Sequence, residues 1–336
     1  MKTFSKDCGA ALCRYKLNGK TMGTQYSAVF FADAKLDKAL IDARLFAAVD
    51  SVDRQMSSWK PDSDLNRLNR APANEWLSIP PQLFEVLSTA LRVARASHDA
   101  FDIGVGELVH AWGFGPGNGR VDEARIKALR AEAHRAATEV LELDQAGRRV
   151  RKLAAITLDL SGIAKGYGVD QLASCLDGLG ISDYLVGIDG EMRARGEKPG
   201  GRPWTVAIEK PVRHVREVMG VMELGDGAIA TSGDYRHWVD FQGRSYSHTI
   251  DGSLRQPSLN QLAAVSVVAS TCMLADAWAT ALLVLGERAG RELAQQRGMD
   301  ALFVLHDGDG FRQVWVTEGQ LIGEAPSPAP CAHEAL

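Results

Sequence analysis

The chain has 336 residues, 46% of them hydrophobic and 24% charged, and a formal net charge of −4. That composition excludes a disordered chain, and the length suffices for one large core or two closely joined lobes. Without a long basic stripe, nucleic acid is excluded as an expected partner; the short RRVRK run at 148–152 reads as a solvated strand edge.

Taken in chain order, TMGTQYSAVFF at 21–31 carries aromatic and β-branched residues in loose alternation and predicts a strand. Residues 36–56 place apolar side chains at helical spacing, and WKPDSDLNRLN then marks a turn leading into a short polar segment. A helix is predicted over 81–97, followed by a glycine-dense, aromatic loop region at 101–119 and a helical segment at 122–136. Residues 141–160 read as a hairpin whose second half is Val150 to Leu160. A helix over 166–180 ends at Gly178 or Gly180. Strand, turn, strand, loop and strand follow over 182–211, and the β-rich theme continues through 227–239, 246–253 and 262–271. Two helices, MLADAWATALLVLG and ERAGRELAQQRG, precede two terminal strands, ALFVLHDG and FRQVWVTEG, and a loose tail from 325. The order is not a regular βαβ alternation, so the fold class expected is α+β with mixed or antiparallel sheets and packed helices.

The five cysteines, Cys8, Cys13, Cys175, Cys272 and Cys331, form no CxxC or zinc-type spacing, and their odd count leans toward a reducing compartment. The N-terminus MKTFSKDCGAALCRYKL lacks an apolar run of signal-peptide length, and no segment reaches about 18 apolar residues. As written the chain reads as cytoplasmic and without a membrane segment. A chain whose leader had been removed would read the same way and would act in the periplasm.

Two segments carry chemistry. LDLSGIAKGYGVD at 158–170 is neither a Walker A loop nor a GxGxxG fingerprint. It does bring a β-run into a helix start through Gly162, Gly166 and Gly168, beside Ser161 and Lys165. Free N–H groups at such a helix start suit an anion; a plain helix entry with a solvated lysine is the other reading. In STCMLADAWATALLVLG, Asp276 and Thr280 lie four residues apart on one helical face among apolar neighbours. A buried carboxylate needs compensation. A hard divalent cation with oxygen ligands would supply it; so would a turn cap or an arginine.

Among eight histidines there is no HExxH. His98, His134, His306 and His333 have no supporting context, and His237 reads first as a structural hydrogen bonder. His248 in YSHTIDG stands three residues before Asp251, and the two can work together only if Gly252 helps the chain turn.

Together these motifs resemble the ApbE-like family of FAD:protein FMN transferases. The pieces are TMGT (21–24), MSSWKPDSDLNRLN (56–69), FDIGVGELVHAWGFG (101–115), LDLSGIAKGYGVD (158–170), GAIATSGDYRHW (227–238), YSHTIDG (246–252) and ADAWATALLVLG (275–286). They follow the family order from about residue 20 to 320. The resemblance implies an ApbE-like, T-fold-like α+β domain over 20–324, in one body or two closely joined lobes, between an extension at 1–19 and a tail at 325–336. It implies an enzyme that binds FAD with magnesium, cuts the pyrophosphate and transfers FMN to a threonine or serine hydroxyl of an acceptor flavoprotein, releasing AMP. The acceptor would present a short motif with glycine and alanine. The alternatives are an FAD pyrophosphatase using the same site and a non-catalytic flavin-binding protein.

Residue by residue, the resemblance places the metal on Asp276, Thr280 and the carbonyl of Ala164. It sets Ser161, Lys165 and Tyr167 along the ligand and makes Met22, Trp59, Asp102 and Ile250 flavin or adenine contacts. His248 or Asp251 would assist the acceptor hydroxyl. Three departures bear on acceptor choice and on transfer against hydrolysis. The usual DPxTG is DGSLRQP here, the usual FDxTVGPL is FDIGVGEL, and a common glycine pair is Asp189 and Gly190.

Overall fold

The computed structural model describes residues 12–116, 119–133 and 135–326. Cys8, Cys331, His134, His333, residues 1–11 of the expected extension and residues 327–336 of the expected tail lie outside the described residues.

The centre is a nine-stranded sheet of β1 (Leu12–Thr21), β2 (Thr24–Asp33), β3 (Tyr184–Ile188), β4 (Glu191–Arg195), β5 (Gly227–Gly233), β6 (Leu262–Ala269), β7 (Asp300–Asp307), β8 (Gly310–Thr317) and β9 (Gln320–Pro326). Spatial order equals chain order, and every neighbouring pair is antiparallel. Long insertions leave this meander and return to it. The largest, between β2 and β3, holds α1 (Lys38–Met56), α2 (Asp64–Arg70), α3 (Pro81–Ala96), α4 (Gly106–Ala111), α5 (Glu123–Ala131), α6 (Ala137–Val140) and α7 (Ala164–Gly178). Between β6 and β7 runs α8 (Cys272–Gln296).

Alternation along the strands builds the layers. On β2, Tyr26, Ala28 and Phe30 are buried in one cluster with Ile41, Leu45 and Val49 of α1 and Leu172 and Leu176 of α7. Val29 and Phe31 point the other way, onto a cluster around Trp204 and Val206. That far layer is the hairpin Trp204–Glu209 with Val218–Leu224; its second strand was not evident in the sequence. α1 forms because Ile41, Leu45, Val49, Val52 and Met56 share one face and Asp37 caps its start, accepting from the Ala39 and Leu40 N–H groups.

Several expectations are corrected. Residues 12–19 are not an appendage: they form most of β1, paired residue for residue with β2. The last strand continues to Pro326, past the expected start of the tail. The loop region at 101–119 contains a 3-10 turn at Ile103–Val105 and the helix α4. The hairpin's second half stops at Lys152 rather than Leu160. Beyond it the backbone has other partners: Asn69 takes both the Leu158 N–H (2.8 Å) and carbonyl (3.0 Å), and the Ile103 carbonyl takes the Asp159 N–H. Nor is RRVRK an edge, because Arg149–Lys152 is the central strand between Trp76–Ser78 and Leu141–Asp144. Its charges are locally matched, Arg149 to Asp144 and Arg151 to Glu142, with both guanidinium groups over the Trp76 ring.

The two helices expected after residue 272 meet at a kink. Gly286 has φ 78° and ψ 176°, a combination open essentially only to glycine. The Asn260 amide fills the bend, donating to the Leu283 carbonyl at 2.7 Å. Gly286→Ala is therefore expected to lower unfolding stability by about 1–3 kcal/mol in urea denaturation. Gly178→Ala, at a helical position with open space around it, is expected to leave stability unchanged or slightly raised.

Candidate functional site

The site forms where α7 and α8 begin. Both helix N-termini carry N–H groups without intrahelical acceptors, and each helix lends the other a carboxylate. Asp276 of α8 accepts from the Gly166 N–H of α7 at 2.9 Å. Asp170 of α7 accepts from the Cys272 and Met273 N–H groups of α8, each at 2.9 Å. This approach demands glycine at 166. A Cβ there would lie 2.3 Å from the Cys272 carbonyl oxygen, closer than atoms pack. The same geometry sets Thr280 against the turn, its Oγ1 only 3.0 Å from where a Gly162 Cβ would stand. So the glycine turn and the Asp276–Thr280 helix face, far apart in sequence, lie against each other, and Ala164 is the first residue of α7 in that turn.

Asp276 is 4% exposed. Burial and the nearby Glu191 push its carboxyl above the ordinary range, against the pull of Lys165 and the Gly166 N–H. Thr280 Oγ1 pairs with Ser232 Oγ of β5 at 2.9 Å. Lys165 does not stand as a free phosphate-seeking cation. Its Nζ lies 2.6 Å from Glu191 Oε1 and 3.8 Å from Asp189 Oδ2. Burial draws its pKa down, but Glu191, Asp276 and Asp189 outweigh this and hold the ammonium well above its usual value. Glu191 is buried, and its second oxygen, Oε2, has no hydrogen-bond partner. Asp189, at φ 51°, is also held by Arg236, which reaches Glu209 as well.

Asp276, Thr280 and the Ala164 carbonyl are the donors that the resemblance assigns to magnesium. Carboxylate, hydroxyl and backbone carbonyl are hard oxygen donors, and an enclosed carboxylate with raised pKa gains most from a cation. The set fits.

The other expected residues divide. Trp59 is 63% exposed and sits on a braced loop. Asn66 Nδ2 donates to the Ser57, Ser58 and Lys60 carbonyls, and Ser63 Oγ to that of Ser57. Met22 occupies the β1–β2 turn at φ 46°, with its Cε close to Gly168 of α7. It borders a cleft of about 910 Å³ between that turn, α1 and Asp189. Ser161 is exposed, and its N–H and hydroxyl both donate to Asp159. Ile250 is buried among Leu108, Val109 and Trp112.

Tyr167 does not lie open to a ligand. It is buried, and its hydroxyl donates to Glu85 of α3 at 2.9 Å, which makes it a strut between helices. Asp102 Oδ1 is engaged by the Gly104 N–H (2.7 Å) and the Ala137 N–H (3.0 Å), so it shapes the loop. Asp251 Oδ1 accepts from Ser253 Oγ (2.6 Å) and the Leu254 N–H (3.0 Å), closing its own turn. His248 is half-buried with its Nδ1 sealed from solvent and unpartnered, and the His237 ring stands 5.4 Å away, edge-on. Asp170, Glu191, Arg193 and Ser232 were missed in the sequence. Asp170 alone had a signal: a charge between Val169 and Leu172 on a buried helix face.

The sequence pattern of the ApbE family matches residues 22–303. The chain belongs to the ApbE family. It is 37% identical over 303 residues to the FAD:protein FMN transferase of Vibrio cholerae, covering 88% of this chain and 89% of that one. The solved flavin transferase ApbE from Vibrio cholerae superposes with a TM-score of 0.80 at 36% identity, over 91% of this chain and 97% of the other. The apo flavinyl transferase ApbE of Pseudomonas stutzeri gives 0.80 at 35% identity, over 92% and 96%. The ApbE fold expected from the motifs, a large antiparallel sheet with packed helices, is thus the fold found.

Within this ApbE site, burial, then His237 and Lys165, lower the pKa of His248 to about 4, so its imidazole is neutral at pH 7. A histidine in the unfolded chain titrates near ~6.5. The folded value is depressed, so the stability His248 contributes is present above about pH 6.5 and is lost as pH falls toward about 4. NMR titration of the histidine ring signals is expected to show His248 unprotonated at pH 5.5, and His248→Gln to flatten the acid limb of the stability curve.

Proposed function

We propose that this protein transfers FMN from FAD to a threonine or serine hydroxyl of an acceptor flavoprotein. The observation that carries this reading is the buried Asp276 carboxylate locked onto the Gly162–Gly166 turn, in a chain similar over about nine-tenths of its length to FAD:protein FMN transferases. The acceptor oxygen attacks the FMN phosphorus, a new P–O bond forms, and the bridging P–O bond breaks so that the bridging oxygen leaves with AMP. AMP is a stable leaving anion, so the step needs charge stabilisation more than a strong acid.

Asp276, Thr280 and the Ala164 carbonyl would hold magnesium, which when bound offsets negative charge on the pyrophosphate oxygens. The glycine turn lets backbone approach the phosphates, and the start of α7 adds the positive end of a helix dipole. Lys165, held by Glu191, lends a fixed positive charge rather than a mobile one. Trp59, on its braced loop, offers a ring face for stacking on the flavin or adenine, and Met22 borders the cleft between the β1–β2 turn, α1 and Asp189. His248 is neutral at pH 7, and because its Nδ1 is sealed from solvent, Nε2 is the ring nitrogen suited to take the proton of the acceptor hydroxyl and pass it to solvent. Asp251 supports that loop instead of sharing the proton.

Incubation with FAD, magnesium and an acceptor carrying the hydroxyl motif is expected to add one FMN to the acceptor, read by intact-mass spectrometry and by fluorescence that survives denaturation. Free FMN with an unmodified acceptor would show water to be the acceptor and overturn the transferase reading. Asp276→Asn keeps an oxygen for the Gly166 N–H but loses the charge. It is expected to retain the fold and to lose transfer by roughly 100-fold or more.

A further inference from the structure

Of the two carboxylates that join α7 to α8, Asp276 belongs to the proposed metal set and Asp170 does not. Asp170 is nonetheless 7% exposed and fully engaged. Its Oδ1 accepts from the Cys272 N–H at 2.9 Å and from Arg193 Nη1 at 2.6 Å, and its Oδ2 accepts from the Met273 N–H at 2.9 Å. At the same helix end Thr271 supplies Oγ1 to the Leu274 N–H and its carbonyl to the Ala275 N–H. A threonine N-cap with water would serve most helices. Here half of the leading N–H groups are instead claimed by another helix, which fixes where α8 starts relative to α7.

The start of α8 governs where its next two turns lie. Asp276 comes four residues after Cys272 and Thr280 four residues later, on the same face. Any tilt or slide of the helix start displaces both. Arg193 completes the clamp from the sheet. It and Glu191 are two apart on β4, hence on one face, and they grip α7 at two points: Glu191 holds Lys165, and Arg193 holds Asp170.

We propose that Asp170, anchored by Arg193, is a positioning residue for the metal site. It sets the separation between the Ala164 turn and the Asp276–Thr280 face. The inference rests on the magnesium reading above. Magnesium accepts only near-octahedral geometry with oxygens about 2.0–2.1 Å away, so a sub-ångström shift of α8 lowers its affinity.

The test uses the full chain with FAD, titrating Mg²⁺ and Mn²⁺ by calorimetry and measuring the melting temperature without metal. Asp170→Asn is expected to weaken metal binding roughly tenfold and to recover most of its turnover at saturating metal. A lower melting temperature with unchanged metal affinity would mark a purely structural residue and overturn the proposal. If Asp170→Asn does not fold, Arg193→Gln decides, since it leaves both helix caps in place. Weaker metal binding supports the proposal, and unchanged binding overturns it. A wild-type protein that binds neither cation with FAD present would overturn the magnesium reading and this inference together. Wild-type binding with unshifted variants would overturn this inference alone.

Discussion

Everything at the site depends on two helix N-termini meeting head to head, each satisfied by a carboxylate of the other. Without that exchange the junction is unfavourable. Two positive dipole ends approach, several N–H groups lose water, and two carboxylates are buried. With it, each cost offsets another. Asp276 answers the Gly166 N–H, Asp170 answers those of Cys272 and Met273, and Arg193 takes up the remaining charge on Asp170. Burial still raises both carboxyl groups above their usual range, so the compensation is incomplete. The Asp276 carboxylate, only partly compensated and beside a glycine turn, is the charge that the proposed cation would answer.

The sheet serves this junction more than it serves itself. β4 presents Glu191 and Arg193 to α7, β5 presents Ser232 to Thr280, and the β1–β2 turn lays Met22 against α7 near Gly168. The insertions supply the outer wall. Asn69 ties α2 to Leu158 just ahead of the glycine turn, and Asn66 braces the loop that exposes Trp59. Rigid strands thus carry the charged groups, while the ring that would touch a planar ligand sits on a loop.

The departures from the family pattern have local causes. Gly104 stands where the Ile156 side chain already occupies the space a Cβ would need, 2.6 Å away. Asp189 adopts a left-handed backbone that aspartate tolerates, with Arg236 and Lys165 matching its charge. The DGSLRQP loop closes on Asp251 through Ser253 and Leu254 rather than through the missing proline and threonine. None of the three reaches the Gly166–Asp276 contact.

Short-range order was set by the sequence itself. Helical spacing gave α1, α3 and α7 within a few residues, Gly286 marked the break in α8, and the lone carboxylate of Asp276 among apolar neighbours announced a compensated charge. Seven short motifs in order carried the family. What the sequence could not decide was which distant groups would answer one another. Val150 to Leu160 has the composition of a strand, but Asn69, far away in the chain, takes the hydrogen bonds that a strand partner would need. Lys165 looks like a phosphate ligand until the sheet brings Glu191 to it, and Tyr167, set along the ligand by the resemblance, proves to be a strut once α3 brings Glu85. Local propensity acts over a few residues, whereas a buried charge is matched by whatever the tertiary fold places within about 3 Å of it, and that distance exists only after the chain has folded.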